Sequence, residues 1–172
     1  MKAENDSTSI GLPSKTYKIL LADDDQDDAL FFRQALDDLQ ICSCFKVVQD
    51  GEELMKLLHL KKDQPDILFL DLNMPCKNGF ECLKEIRQNN HFKTLQIIIL
   101  STSFEMKIVR ELFRNGAQLY VQKPADFSEL KRVIAYAIRL CIQVECGELV
   151  KNAETTGKDF IIYPKTCPNE FN

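Results

Sequence analysis

Five carboxylates crowd one short stretch of this chain. In ILLADDDQDDALFF (19–32) an apolar run gives way to Asp23, Asp24 and Asp25, Gln26 intervenes, and Asp27 and Asp28 follow. Two carboxylates about 4 Å apart repel by about 4 kcal/mol at an effective dielectric near 20. Protonation, solvent, a helix N-terminus or a bound cation must offset that repulsion. Further polar groups close other apolar runs. Asp71 ends ILFL and is followed by Asn73; Ser101 and Thr102 end IIIL; Lys123 and Pro124 follow LYVQ. If these run ends meet, three carboxylates (Asp23, Asp24, Asp71), two hydroxyls and an ammonium face one another. Such a set calls for a hard cation. Mg²⁺ suits it, because it binds through one or two carboxylates together with waters and phosphate oxygens. Asp23 and Asp24 then act as oxygen ligands. Asp27 and Asp28 fall in a first helical turn, where carboxylates complement the helix dipole, and Asp25 is expected to be solvated at the helix start.

The elements that must position these residues follow from hydrophobic periodicity. Strands are expected over 17–22, 43–49, 66–72, 96–101 and 117–122, and helices over 27–40, 51–62, 79–90, 105–115 and 126–146. In the first helix Leu30, Phe31, Ala35, Leu36 and Leu39 are expected to form the apolar face, with Gln34 among them. Gly116 is a helix stop signal, and Asp126 is placed to cap the last helix. The strands read as continuous apolar runs, the pattern of strands covered by helices on both faces. The expected fold is therefore α/β: a doubly wound five-stranded parallel sheet, flavodoxin-like (βα)5, with strand order 2-1-3-4-5. In such sheets the site lies outside the carboxyl ends of the strands, near the switch in strand order. Residues 1–15 are expected to be a flexible tail, 16–147 the domain and 148–172 a C-terminal tail. Within that last segment the apolar patch 160–163 has three possible fates: disorder, packing back on the domain, or binding a partner.

Composition narrows the function classes. Net charge is −4 with no basic cluster, which argues against direct DNA binding, since phosphate contacts need grouped Lys and Arg. No apolar run approaches the roughly 18 residues of a membrane span, and the polar N-terminus lacks the apolar core of a secretory signal. A cytoplasmic location is expected. The seven cysteines are odd in number and contain no C-x-x-C, so most are expected to be core-filling free thiols. His59 and His91 are expected at exposed helix edges, not as ligands.

Together the stretches ILLADDD, DGEEL (50–54), PDILFLDLNMPCKNGFECLKEIR (65–87), IIILSTS (97–103) and NGAQLYVQKP (115–124) resemble the receiver domain of two-component response regulators, the CheY-like superfamily. The intervals from Asp71 to Ser101 and to Lys123 also match those separating that family's acceptor aspartate, switch hydroxyl and lysine. The resemblance implies that Asp71 accepts a phosphoryl group. It further implies that Asp24 ligates Mg²⁺ directly, Asp23 through water and Asn73 through its carbonyl. Ser101, Thr102 and Lys123 would meet phosphoryl oxygens, and Ser101 with Tyr120 would form the conformational switch. This chain departs from the family's commoner pattern in having Ser at 101, where Thr is usual, and Asn at 78, where Asp is usual. The implied partners are a sensor histidine kinase and a downstream protein target. Ile108, Val109, Leu112, Val133, Tyr136 and Leu140 exceed what one helix face buries, which leaves two readings open: ordinary core, or a docking or homodimer surface through the last two helices and strand 5. About 30 residues after Arg139 are too few for a DNA-binding output domain, so a stand-alone signalling protein is expected, not an enzyme in the ordinary sense. Two alternatives stand beside it. One is a receiver-fold scaffold that is not phosphorylated. The other is a haloacid dehalogenase-type phosphatase, against which Asn73 counts, because that chemistry needs a second Asp there.

Overall fold

A computed structural model describes residues 15–60, 62–145 and 161–162. The chain alternates strands and helices: β1 (Tyr17–Ala22), α1 (Gln26–Asp38), β2 (Ser43–Val48), α2 (Gly51–His59), β3 (Ile67–Leu70), α3 (Gly79–Gln88), a 3₁₀ turn (Asn90–Phe92), β4 (Gln96–Ser101), α4 (Met106–Arg114), β5 (Leu119–Gln122), α5 (Phe127–Glu145) and β6 (Ile161–Ile162). The helix starts follow local chemistry. Asp25 caps α1 by accepting from the amides of Asp27 and Asp28, Asp50 caps α2, and Asn78 with Glu81 forms a reciprocal capping box at α3. Asp126 accepts from the amides of Ser128 and Glu129, as its position predicts.

All strand pairs are parallel, in the order β2-β1-β3-β4-β5-β6. The expected order of the first five strands holds, and the sheet is doubly wound. One face carries Leu20, Leu68, Ile97 and Tyr120 against α2, α3 and α4. The other carries Leu21, Phe69, Ile98 and Val121 against α1 and α5. Alternate strand residues thus enter opposite cores, which is why ILFL of β3 and the centres of β1, β4 and β5 are continuously apolar, while the edge strand β2 carries Lys46.

Three expectations are corrected. The sheet has six strands, because Ile161 and Ile162 pair with Tyr120 and Val121 at the β5 edge. Both isoleucines are buried, each stabilising by about 1.5–3 kcal/mol against roughly 1–2 kcal/mol to order a residue's backbone. Of the three fates open to that patch, packing back is the one observed; the rest of 146–172 lies outside the described residues. Second, α1 is rotated from the expected face: Phe32, Ala35 and Leu36 are buried, whereas Leu30 and Phe31 are exposed. Third, Cys42, Cys44 and Cys76 are exposed free thiols, and only Cys82 and Cys141 among the described cysteines fill the core. The edge position of β2 accounts for Cys44, which lies in a strand with one side open.

One glycine bears directly on the polar edge of the sheet. Gly79 opens α3 beside the end of β3, its amide donating to the Leu72 carbonyl at 3.1 Å. A β-carbon there would stand 2.0 Å from the carbonyl oxygen of Asp71. That oxygen belongs to backbone, so relief requires α3 and the Asp71 loop to separate. Gly79→Ala is expected to destabilise the protein by about 1–3 kcal/mol, a fall in melting temperature of roughly 2–12 °C at this chain length. Thermal unfolding followed by circular dichroism checks it, and an unchanged melting temperature would refute the close contact.

Candidate functional site

Strand register brings the acidic residues together. Ala22 of β1 pairs with Leu70 of β3, so Asp23 and Asp71 leave adjacent strands at the same level. Their backbones are tied into the sheet: Asp71 N donates to Ala22 O at 2.9 Å and Asp23 N to Val48 O at 3.0 Å. The order reverses here, with β2 on one side of β1 and β3 on the other, so helices leave in opposite directions and a crevice opens. Asp23, Asp24 and Asp71 each turn one carboxylate oxygen into it, and these oxygens lie within 4.8 Å of one another. Asp23 and Asp71 are 1% and 6% exposed, while Asp24 faces solvent. Hard oxygen donors of excess negative charge fit a divalent cation.

Lys123 supplies the opposing charge. It follows β5, its amide donating to the Ser101 carbonyl at 2.9 Å. Its Nζ donates to Asp23 Oδ2 at 2.7 Å and to Asp28 Oδ2 at 2.8 Å, and lies 3.9 Å from Asp71 Oδ1. Asp28 therefore belongs to the site and is not merely a helix-dipole residue, as its place in the sequence suggests. A sequence signal for it exists. Asp28 precedes the buried Phe32 by one helical turn, so both lie on the inward face of α1. Asp25, by contrast, sits at the helix start as expected, there as the cap.

The remaining expected residues surround this cluster without all touching it. The Asn73 amide donates to Asp71 Oδ2 at 3.3 Å, and the Asn73 side chain is exposed. Ser101 is fully buried, its hydroxyl sharing a hydrogen bond with Ser103 Oγ at 3.2 Å. Thr102 is exposed on the loop that follows β4. Tyr120 is buried; its hydroxyl donates to the Ser103 carbonyl, and its ring meets Phe104 edge-on at 6.1 Å. One loop, 102–105, thus links the buried hydroxyls of Ser101 and Tyr120. His59 and His91 are exposed, as expected.

One ammonium among several carboxylates leaves negative charge in excess. Burial raises the Asp23 carboxyl above its ordinary 3.8, and the Lys123 hydrogen bond and charge only partly counter it. Burial raises Asp71 likewise; Lys123 lowers it and the charge of Asp23 raises it again. Burial opposes the charge on Lys123, but its bonds to Asp23 and Asp28 outweigh that and hold it above 10.5. Lys123 therefore stays protonated, and the carboxylates carry the strain.

Comparison with known proteins agrees with this arrangement. Residues 19–135 match the response regulator receiver domain family. Over 123 residues the chain is 30% identical to the probable C4-dicarboxylate response regulator DctR of Bacillus subtilis, aligning 70% of this chain with 51% of that protein; the chain thus spans about half of that relative's length. It is 27% identical over 121 residues to response regulator Rcp1 of Synechocystis sp., aligning 67% of this chain and 82% of Rcp1. Among solved structures, the phosphorylated cyanobacterial phytochrome response regulator RcpA superposes with a TM-score of 0.64 at 27% identity, covering 76% of this chain and 92% of RcpA. The Mn²⁺-bound form of Rcp1 superposes at 0.63 with 25% identity, covering 80% and 97%.

The raised Asp71 carboxyl has a consequence for stability. Between pH 3.8 and its raised folded value, the folded protein binds more protons than the unfolded chain. Stability therefore falls as pH rises through that window, and above it the carboxylate of Asp71 destabilises the metal-free fold. Asp71→Asn, a neutral isostere, is expected to raise the melting temperature in chelator at pH 7. The gain should vanish below pH 3.8, where the wild-type carboxyl is protonated in both states. Melting curves of both proteins from pH 3 to pH 8 check this; a lower melting temperature for the variant at neutral pH would contradict it.

Proposed function

The chain belongs to the response regulator receiver family, and on that premise we propose that Asp71 accepts a phosphoryl group from a sensor histidine kinase. The observation that carries this reading is the reach of Lys123 from the end of β5 to the carboxylates of β1 and β3. That contact unites the nucleophile, the cation-binding carboxylates and a fixed positive charge in one crevice. Domain limits of 16–147 enclose these parts, with 148–172 apart from β6 as a C-terminal tail.

The Asp71 carboxylate forms a bond to phosphorus as the bond from phosphorus to the donor breaks, giving an acyl phosphate that water later hydrolyses. Such transfer depends on position and on charge stabilisation. Lys123 meets one phosphoryl oxygen. The Ser101 hydroxyl and the exposed Thr102 meet others once the loop after β4 closes on them. Asp23, Asp24, Asp71 and the Asn73 carbonyl would hold Mg²⁺, which would supply positive charge against the phosphoryl oxygens. The fit rests on the three converging carboxylate oxygens, and the Mn²⁺ form of Rcp1 is a parallel in a relative.

Output follows from the loop linking Ser101 and Tyr120. Drawing Ser101 toward a phosphoryl group disturbs Ser103, the hydrogen-bond partner of both hydroxyls, and so shifts the balance of two conformations. The readable surface is the α4 side, where Met106 and Ile108 are exposed. A downstream protein, or a second copy of the chain through α4, β5 and α5, docks there; β6 restricts such a dimer to the helices by covering the β5 edge. The setting is cytoplasmic, and the output is protein contact, without direct DNA binding. Among the described residues no helix is long and apolar enough to cross a membrane.

Acetyl phosphate with Mg²⁺ is expected to phosphorylate the protein, and Asp71→Asn to abolish the product. A phosphate-affinity gel reads this directly, which matters because the chain has no Trp for a fluorescence assay. Undiminished labelling of the variant would overturn Asp71 as the acceptor.

A further inference from the structure

Lys123 is shared among carboxylates in a way that opposes its movement toward Asp71. Its ammonium has three N–H donors. Two are committed, one to Asp23 Oδ2 at 2.7 Å and one to Asp28 Oδ2 at 2.8 Å. Asp71 Oδ1, at 3.9 Å, is beyond hydrogen-bond range. The bond to Asp28 ties β5 to α1, and it is held at both ends. The N-cap of Asp25 fixes the first turn of α1, and the buried Phe32 fixes its rotation. The Lys123 side chain is only 10% exposed, while that of Asp28 is 39% exposed. Water can therefore take over the hydration of Asp28 when the pair separates, but Lys123 must find another partner inside the crevice.

We propose that Asp28 is a positioning residue for phosphoryl transfer: it parks the Lys123 ammonium beside Asp23 and competes with the phosphoryl group for it. The third N–H is open to a phosphoryl oxygen, but the bonds to Asp23 and Asp28 fix where the ammonium stands, so drawing it toward a phosphoryl group on Asp71 works against the hold of Asp28. Charged acceptors bind an ammonium more strongly than neutral ones of the same shape. Replacing Asp28 with Asn keeps the shape, and an oxygen that still accepts, but weakens its hold on Lys123. The proposal rests on the reading of Asp71 as the phosphoacceptor.

The test compares wild type with Asp28→Asn, Asp28→Glu and Asp27→Asn. Asp27→Asn is the control: it removes the same charge from the same helical turn, and the ion pairs of Lys123 do not include Asp27. Beryllofluoride, a phosphoryl mimic, is titrated at saturating Mg²⁺ and followed by fluorine NMR. The Lys123 ammonium is followed by nitrogen NMR without beryllofluoride. Asp28→Asn is expected to tighten beryllofluoride binding about fivefold, the scale separating a charge-assisted from a neutral hydrogen bond in a part-exposed site. It should also shift the Lys123 ammonium resonance. Asp28→Glu should stay near wild type in both measurements, and Asp27→Asn should change beryllofluoride binding less than about twofold and leave the resonance in place. Unchanged binding in Asp28→Asn, or equal tightening in Asp27→Asn, would overturn the positioning role while leaving Asp71 as acceptor. Failure of the wild type itself to bind beryllofluoride would overturn the acceptor reading, and this inference with it.

Discussion

A single buried ammonium decides how this site is put together. Lys123 stands among Asp23, Asp28 and Asp71, with Asp24 at the rim. Without it, the ends of β1 and β3 would bring like charges together in a crevice where water is scarce, at several kcal/mol for each close pair. With it, the charges balance only in part. Asp23 and Asp71 remain above their ordinary carboxyl range even though the lysine lowers both. The fold therefore tolerates a local conflict that an additional cation relieves, and a site of that kind is poised for a ligand instead of being satisfied by its own chain.

What lets the conflict persist is the rigidity of its supports. The carboxylates sit at the ends of strands that are buried on both faces and hydrogen-bonded to neighbours up to the last residue. Asp71 is tied by its amide to Ala22 of β1, and the start of α3 comes so close to its carbonyl that only glycine fits at 79. Lys123 is tied by its own amide to the end of β4. The repulsion is thus spread over the sheet's cooperative hydrogen bonding and two hydrophobic cores, each far stronger than one unfavourable carboxylate pair.

Much of this was legible in the sequence, for reasons that can be named. Asp23, Asp24, Asp71 and Lys123 each end or follow an apolar run, and parallel strands deliver such ends to one edge whatever their side chains do. The exposed Leu30 and Phe31 show where periodicity fails: Leu30, Phe31 and Phe32 stand side by side, so rotation by one position hardly alters the apolar count, and packing buries Phe32 with Ala35 and Leu36. Asp28 was hidden by the same uncertainty, since its partner is visible only when the phase of α1 is known. The two-residue β6 carries no period at all. Its burial depends on an open edge at β5, a property of another part of the chain.

The two hydroxyls that do not touch the carboxylates complete the logic. Ser101 lies fully buried beside the end of β4, yet its hydroxyl is engaged with Ser103, and Tyr120 is engaged with the carbonyl of that same residue. Both bonds end on the loop 102–105, whose side chains are exposed and whose Phe104 leans edge-on against the Tyr120 ring. On the proposed phosphorylation of Asp71, the charge change would act on the sheet on one side and on this hydrogen-bonded loop on the other. Fixed carboxylates and a hydroxyl pair able to exchange partners would then be complementary halves of one device.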